Sequence, residues 1–205
     1  MHIIDHAQSL YSNPLNRYHN WRHVEFVLGS YIQVFGEQPS ANELLAILFH
    51  DCVYVAGSSP MLNETLSALE FRRAFKVFKP TRADVDMVEK MILATRAMNY
   101  MQESFYCPDS ARVMDCDVAS LAIPYSEFLQ NNANIIYENA GPIYDYEMEI
   151  CARASIDFLL KLSSRTRIYR TSQAIAQLED DARDNIKRFA KNPEDIYKFL
   201  EKISN

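Results

Sequence analysis

Apolar residues recur along this chain at the three-to-four-residue interval of a helix face, and no stretch alternates in the manner of a confident strand. From Asn20, a suitable N-cap, Val24, Val27, Leu28, Tyr31 and Phe35 form one stripe, predicting a helix to about Phe35. Ser40-Ala41-Asn42-Glu43 reads as a capping box, and the segment it opens, Ala41 to about Tyr54, is apolar nearly all round, the mark of a buried central helix. After a loop at Gly57-Ser58-Ser59-Pro60, a helix is expected from Met61 or Asn63 to about Phe78. Another opens at Pro80-Thr81 and carries Val85, Val88 and Ile92. Pro108-Asp109-Ser110 starts a helix to about Ile123, Pro124 begins the next segment, and Pro142 precedes a long helix to about Leu162. Thr171 or Ser172 caps one with Leu178, Ala182, Ile186 and Phe189 on its face. Asn192-Pro193 starts the last, with Ile196, Phe199, Leu200 and Ile203. The pattern predicts an all-α fold of nine or ten helices in a single domain.

Composition narrows what such a fold could do. At 205 residues the chain is long enough to bury roughly 70% of its unfolded surface, so a metal would serve chemistry rather than folding. Only 4 residues are glycine, which argues against dinucleotide folds and glycine-rich phosphate loops. The 21 basic and 27 acidic residues leave a formal charge of −6 without basic runs, so neither a nucleic acid polymer nor a membrane surface is an expected partner. Cys52, Cys107, Cys116 and Cys151 show no metal or disulfide spacing, and MHIIDHAQSL lacks the flank and apolar run of a signal peptide. No apolar run approaches a membrane span. A cytoplasmic location is the expectation.

All 5 histidines, His2, His6, His19, His23 and His50, fall in the first quarter of the chain. His2 and His6 read as surface residues. His50-Asp51 lies at the end of the most hydrophobic segment, where imidazole and carboxylate are costly unless paired or bound to a metal. His23 sits at the edge of the first apolar stripe; His19, four residues earlier, precedes the cap and need not share its face. On the helix after Ser110, Asp117 has Val113, Met114 and Leu121 as helical neighbours and is expected to point inward. Asp115 shares the side of Ala111, Arg112 and Ala119, away from that face, and is the alternative to Asp117 as the second carboxylate of a metal site. Each alone could be an ordinary paired core residue. Together, two imidazoles and two carboxylates suit one divalent ion, and Mn²⁺, Mg²⁺, Co²⁺, Fe²⁺ and Zn²⁺ all remain open.

These residues resemble the HD-domain superfamily of metal-dependent phosphohydrolases, and more closely a branch of proteins of about this length described as predicted HD phosphohydrolases. The resemblance is carried by Arg17-Tyr18-His19-Asn20-x-x-His23, Phe49-His50-Asp51-Cys52-Val53-Tyr54, Asn63-Glu64-x-x-Ser67-Ala68 and Ile92-Leu93-Ala94-Thr95. It continues through Met114-Asp115-Cys116-Asp117-Val118-Ala119, Arg167-Ile168-Tyr169 and Glu179-x-x-Ala182-Arg183-x-Asn185, and so runs through nearly the whole chain. It implies an all-helical HD fold, with a metal-site core over about 18–122 and C-terminal helices over 143–203 packed on it. It also implies His23, His50, Asp51 and Asp117 as metal ligands. Met98 stands where similar proteins often carry a histidine, and no histidine follows residue 50, so one metal is expected rather than two. The glutamate-aspartate pair of alarmone hydrolases is replaced by Val53-Tyr54-Val55.

The expected activity is hydrolysis of a phosphate ester or anhydride of a nucleotide or similar small molecule by metal-activated water. Asp51 and Glu64 are the candidate catalytic residues; Arg17, His19 and Asn63 are the candidate substrate contacts. Glu179 and Arg183 read as a structural i,i+4 ion pair. Tyr18, Trp21 and Tyr54 are candidates to stack on a base, although aromatic residues at helical spacing are more often core. A non-catalytic nucleotide- or metal-binding regulatory protein with the same pocket is the competing expectation.

Overall fold

Side-chain caps set most of the helix boundaries. The computed structural model describes residues 2–58, 61–102, 108–140 and 145–204, with the side chains of 145–147 and 201–204 left aside. Among these residues there are eleven α-helices and no strand: α1 (Ile3–Leu10), α2 (Trp21–Phe35), α3 (Ala41–Phe49), α4 (Leu62–Phe78), α5 (Val85–Ala94) and α6 (Ala97–Met101), followed by α7 (Ala111–Asp117), α8 (Tyr125–Ala140), α9 (Asp145–Ser163), α10 (Ser172–Lys191) and α11 (Glu194–Ser204). Short 3₁₀ turns at Pro108–Ser110 and Ala119–Ala122 flank α7. The expected all-α domain is present. The Asn20 and Thr171 side chains accept from backbone N–H groups one turn in, and Ser40 and Glu43 complete their reciprocal box.

The differences from expectation have local causes. α1, which the apolar pattern does not predict, is capped by the His2 imidazole together with Asp5; His2 is exposed, as expected, and caps the helix from the surface. His6, expected at the surface, is partly buried and meets Glu70 of α4 at 3.1 Å. α3 stops at Phe49 instead of Tyr54 because Ser67 of α4 captures the following backbone: its hydroxyl accepts from Val53 N–H at 3.1 Å and faces the Val53 carbonyl at 3.3 Å. His50 and Asp51 therefore lie at and just beyond the helix end. The turn at Pro80-Thr81 precedes α5 without joining it, and Asp84 is the cap. Ser59, Pro60, Cys107 and Pro142 lie outside the described residues.

Two apolar cores share one domain. The first joins α1 to α5 with Val113 and Cys116 of α7. The second joins Met114, Tyr100 and Leu121 to α8, α9, α10 and α11, and reaches back to Val34 of α2. α7 is thus the seam, giving alternate side chains to opposite cores. None of the described helices is long and apolar enough to cross a membrane.

Candidate metal centre

The end of α3, the first turn of α2 and the end of α7 meet where the two cores adjoin. There His23, His50, Asp51 and Asp117 each offer a donor atom, all within 4.8 Å of one another. His23 Nε2 stands 3.1 Å from His50 Nε2, 3.5 Å from Asp51 Oδ2 and 3.2 Å from Asp117 Oδ1. His50 Nε2 stands 3.1 Å from Asp51 Oδ2 and 3.3 Å from Asp117 Oδ1. Nitrogen and oxygen donors bind divalent ions at about 2.1 Å, so neighbouring ligands stand about 3.0 Å apart at a right angle and about 3.4 Å at the tetrahedral angle. Four of the five separations fall in that range without any side chain moving, and the fifth, His23 to Asp51, exceeds it by about 0.1 Å.

The protonation pattern fits too. His50 Nδ1 donates to the Ile47 carbonyl at 2.9 Å, which leaves the lone pair of Nε2 facing the cluster. His23 Nδ1 is buried without a partner among the described residues, so Nε2 carries its interactions. In the ion-free chain, burial disfavours the charged forms, but the groups polarise one another more strongly. The two aspartates hold His50 well above the ordinary imidazole range and raise His23, while the histidines hold Asp51 and Asp117 well below the carboxylate range. Four donors so close need a shared cation, either protons or a metal ion.

Asp117 is held by what surrounds it. Its second oxygen accepts from the Tyr100 hydroxyl at 2.7 Å, which leaves Oδ1 to the cluster. Asp115 is not on an outward face: it is fully buried and accepts from Arg170 N–H, Thr171 N–H and the Thr171 hydroxyl, each at 2.8 Å. Burial pushes its carboxyl up to about 6 against these three donors. The segment that grips Asp115 is itself gripped, because Glu179 accepts from Ile168 N–H and Tyr169 N–H and pairs with Arg183 at 2.8 Å. Asn185 holds the Leu121 and Ile123 carbonyls just beyond α7. The C-terminal residues singled out in the sequence therefore position Asp117 from behind.

A cavity of about 510 Å³ opens beside the cluster, with Asp51, Asp117, Glu64, His19 and Asn63 on its wall. Burial, joined by the negative charge of Asp51 and Asp117, raises the Glu64 carboxyl above its ordinary range. His19 is fixed on both sides: Nδ1 meets buried Glu138 at 2.8 Å, and its ring lies 3.8 Å from that of Tyr54, nearly parallel. Its Nε2 lies 4.0 Å from Asp51 Oδ2. The Asn63 carbonyl is committed to the loop, accepting from Val55 N–H at 2.9 Å and Ser58 at 3.1 Å. Arg17 does not join this group; it stacks 3.5 Å over Tyr137 and lines a separate cavity of about 430 Å³. Trp21 packs edge-on against Tyr11 in the first core, and exposed Met98 does not line the large cavity.

Glu138 and Tyr100 carried no sequence signal. Each sits in an apolar helix pattern, and only the fold brings it to His19 or Asp117. Set against protein-family models, curated proteins and solved structures, the chain matches none.

Proposed function

We propose that this chain is a metal-dependent phosphohydrolase of the HD type, acting on a small phosphorylated molecule such as a nucleotide. What supports the reading above all is the convergence of His23, His50, Asp51 and Asp117 at ligand spacing on the wall of a ligand-sized cavity. A divalent ion held there would supply Lewis acidity, lowering the pKa of water and drawing charge from a phosphoryl oxygen.

The residues around it divide the remaining work. Asp51, on the cavity wall, orients the attacking water through its carboxylate. His19, clamped between Glu138 and Tyr54, presents Nε2 to a non-bridging phosphoryl oxygen. Glu64, with its carboxyl raised, holds a proton nearer neutrality than an exposed glutamate and delivers it to the leaving oxygen. Tyr100 and Asp115 keep Asp117 in place.

The test is phosphate release from a panel of phosphate esters and anhydrides with Mn²⁺, Mg²⁺ or Co²⁺, compared with His50→Ala and Asp117→Ala. Turnover that needs the ion and collapses in both variants supports the proposal. Turnover that either variant leaves untouched, or none with any member of the panel, overturns it.

A further inference from the structure

Charge on the cavity wall narrows the substrate class, on the footing of the phosphohydrolase reading above. Among the described residues the wall carries Asp51, Glu64 and Asp117, with His19 beside them, and no lysine or arginine. With Glu64 protonated, as its role as proton donor requires, the carboxylates of Asp51 and Asp117 offset one divalent ion and leave no positive charge on the wall for a second phosphate. Sites for di- and triphosphates place lysine or arginine against the extra phosphates. The arginines in the neighbourhood stand behind the wall rather than on it: Arg96 donates to Thr65 at 2.9 Å and acts on Glu64 only through its charge, Arg170 donates to the Asn99 carbonyl at 3.0 Å, and Arg17 lies over Tyr137.

Six large apolar side chains form much of the rest of the wall. Val118, Leu121, Ile135, Ile136, Phe158 and Leu159 line it from the 3₁₀ turn, α8 and α9. Most of the polar groups beside them are turned to the protein: Asn132 donates to the Phe128 carbonyl at 2.8 Å, Ser155 donates to Asn132 at 3.4 Å, Ser120 meets the Tyr18 hydroxyl at 3.0 Å, and Asn139 donates to the Ile135 carbonyl at 2.9 Å and accepts from Tyr54 at 3.1 Å, while Asn131 also lines the wall. Burying an apolar body there is favourable, whereas a second phosphate would be desolvated without a cation to receive it.

We propose that the site takes a phosphomonoester whose single phosphoryl group meets the donor cluster and whose organic body is uncharged and largely apolar, and that it discriminates against a second phosphate. In the reaction water adds to phosphorus as the ester P–O bond breaks. One proton of the water passes to the departing alcohol, by way of Glu64, and inorganic phosphate is released.

Calorimetric titration of the Mn²⁺-loaded protein decides this without relying on turnover. The probes are hexylphosphonate, methylphosphonate, and a hexane bisphosphonate with one phosphonate at each end. Hexylphosphonate should bind at least tenfold more tightly than either of the others. Ala154→Trp, at an exposed position on the cavity rim, should weaken hexylphosphonate at least tenfold and leave methylphosphonate within twofold. Ile135→Lys should bring the bisphosphonate level with hexylphosphonate. Equal or tighter binding of the bisphosphonate by the unaltered protein, indifference to the hexyl chain, or no binding of any probe overturns the inference. Hexylphosphonate binding as expected, with hexyl phosphate left unhydrolysed, would instead sink the hydrolase reading and leave the ligand class standing.

Discussion

Ion binding should stabilise this protein measurably, with a pH dependence of known sign. The donors come from three separate segments, at residue 23, at residues 50–51 and at residue 117, so a shared ion ties α2, α3 and α7 together. Because five donor separations already lie at 3.1–3.5 Å, little of the binding energy is spent on rearrangement. At free ion one hundred times the dissociation constant, the native state gains about 2.7 kcal/mol. For a chain of this size that is a rise in Tm of about 5–11 °C. Without the ion, the raised histidines contribute stability that is complete below their unfolded pKa of about 6.5 and fades as pH climbs through their raised folded values. The lowered carboxyls of Asp51 and Asp117 contribute in the opposite sense, complete above about 3.9 and lost as pH falls through their depressed values. An ion must displace the histidine protons, so its advantage grows with pH. Thermal melts from about pH 6 to pH 8, with chelator or with Mn²⁺, should show a gap that widens upward and shrinks to about 2 °C or less in His50→Ala. A gap that narrows with rising pH, or that persists unchanged in His50→Ala, would refute the reasoning.

Three further outcomes are expected. Asp115→Ala leaves the half-buried Arg170 and Thr171 donors without their acceptor and should cost about 3 kcal/mol in urea unfolding; a loss under about 1 kcal/mol would mean that the α7 anchor carries little. Tyr100→Phe frees the second oxygen of Asp117 and should weaken Mn²⁺ binding about tenfold by calorimetry while global stability changes by less than about 2 kcal/mol. An unaltered dissociation constant would count against Tyr100 as a positioning residue. Glu64→Gln keeps the shape of the cavity wall but cannot deliver a proton. It should lower kcat about a hundredfold with little change in KM, and a selective rise in KM would assign Glu64 to binding instead.

The helices with conventional caps were legible, as Asn20, Ser40 with Glu43, and Thr171 show. α1 was not, because a histidine cap at residue 2 is not among the usual cap residues, and α6 was not, because five residues are held in place by distant arginines such as Arg170. The four clustered donors could be read because each breaks an apolar pattern with a polar group. A helical wheel turns Asp115 away from the core because it assumes one buried side; α7 has two, with Val113 and Cys116 in one core and Met114 in the other. The sequence marks His19 but not its clamp: Glu138 lies on α8, more than a hundred residues away, and the wheel of α8 says nothing of its neighbour.

The seam position of α7 also sets how the molecule can come apart. Any excursion that lifts the C-terminal helices from the N-terminal ones pulls on Asp115, and two residues later on Asp117. The amide hydrogens of Arg170 and Thr171, whose acceptor is the Asp115 carboxylate, would exchange with solvent in that same excursion. Ion dissociation and deuterium uptake at those two amides should therefore share one opening rate, making the centre a latch whose release can be timed from its far side.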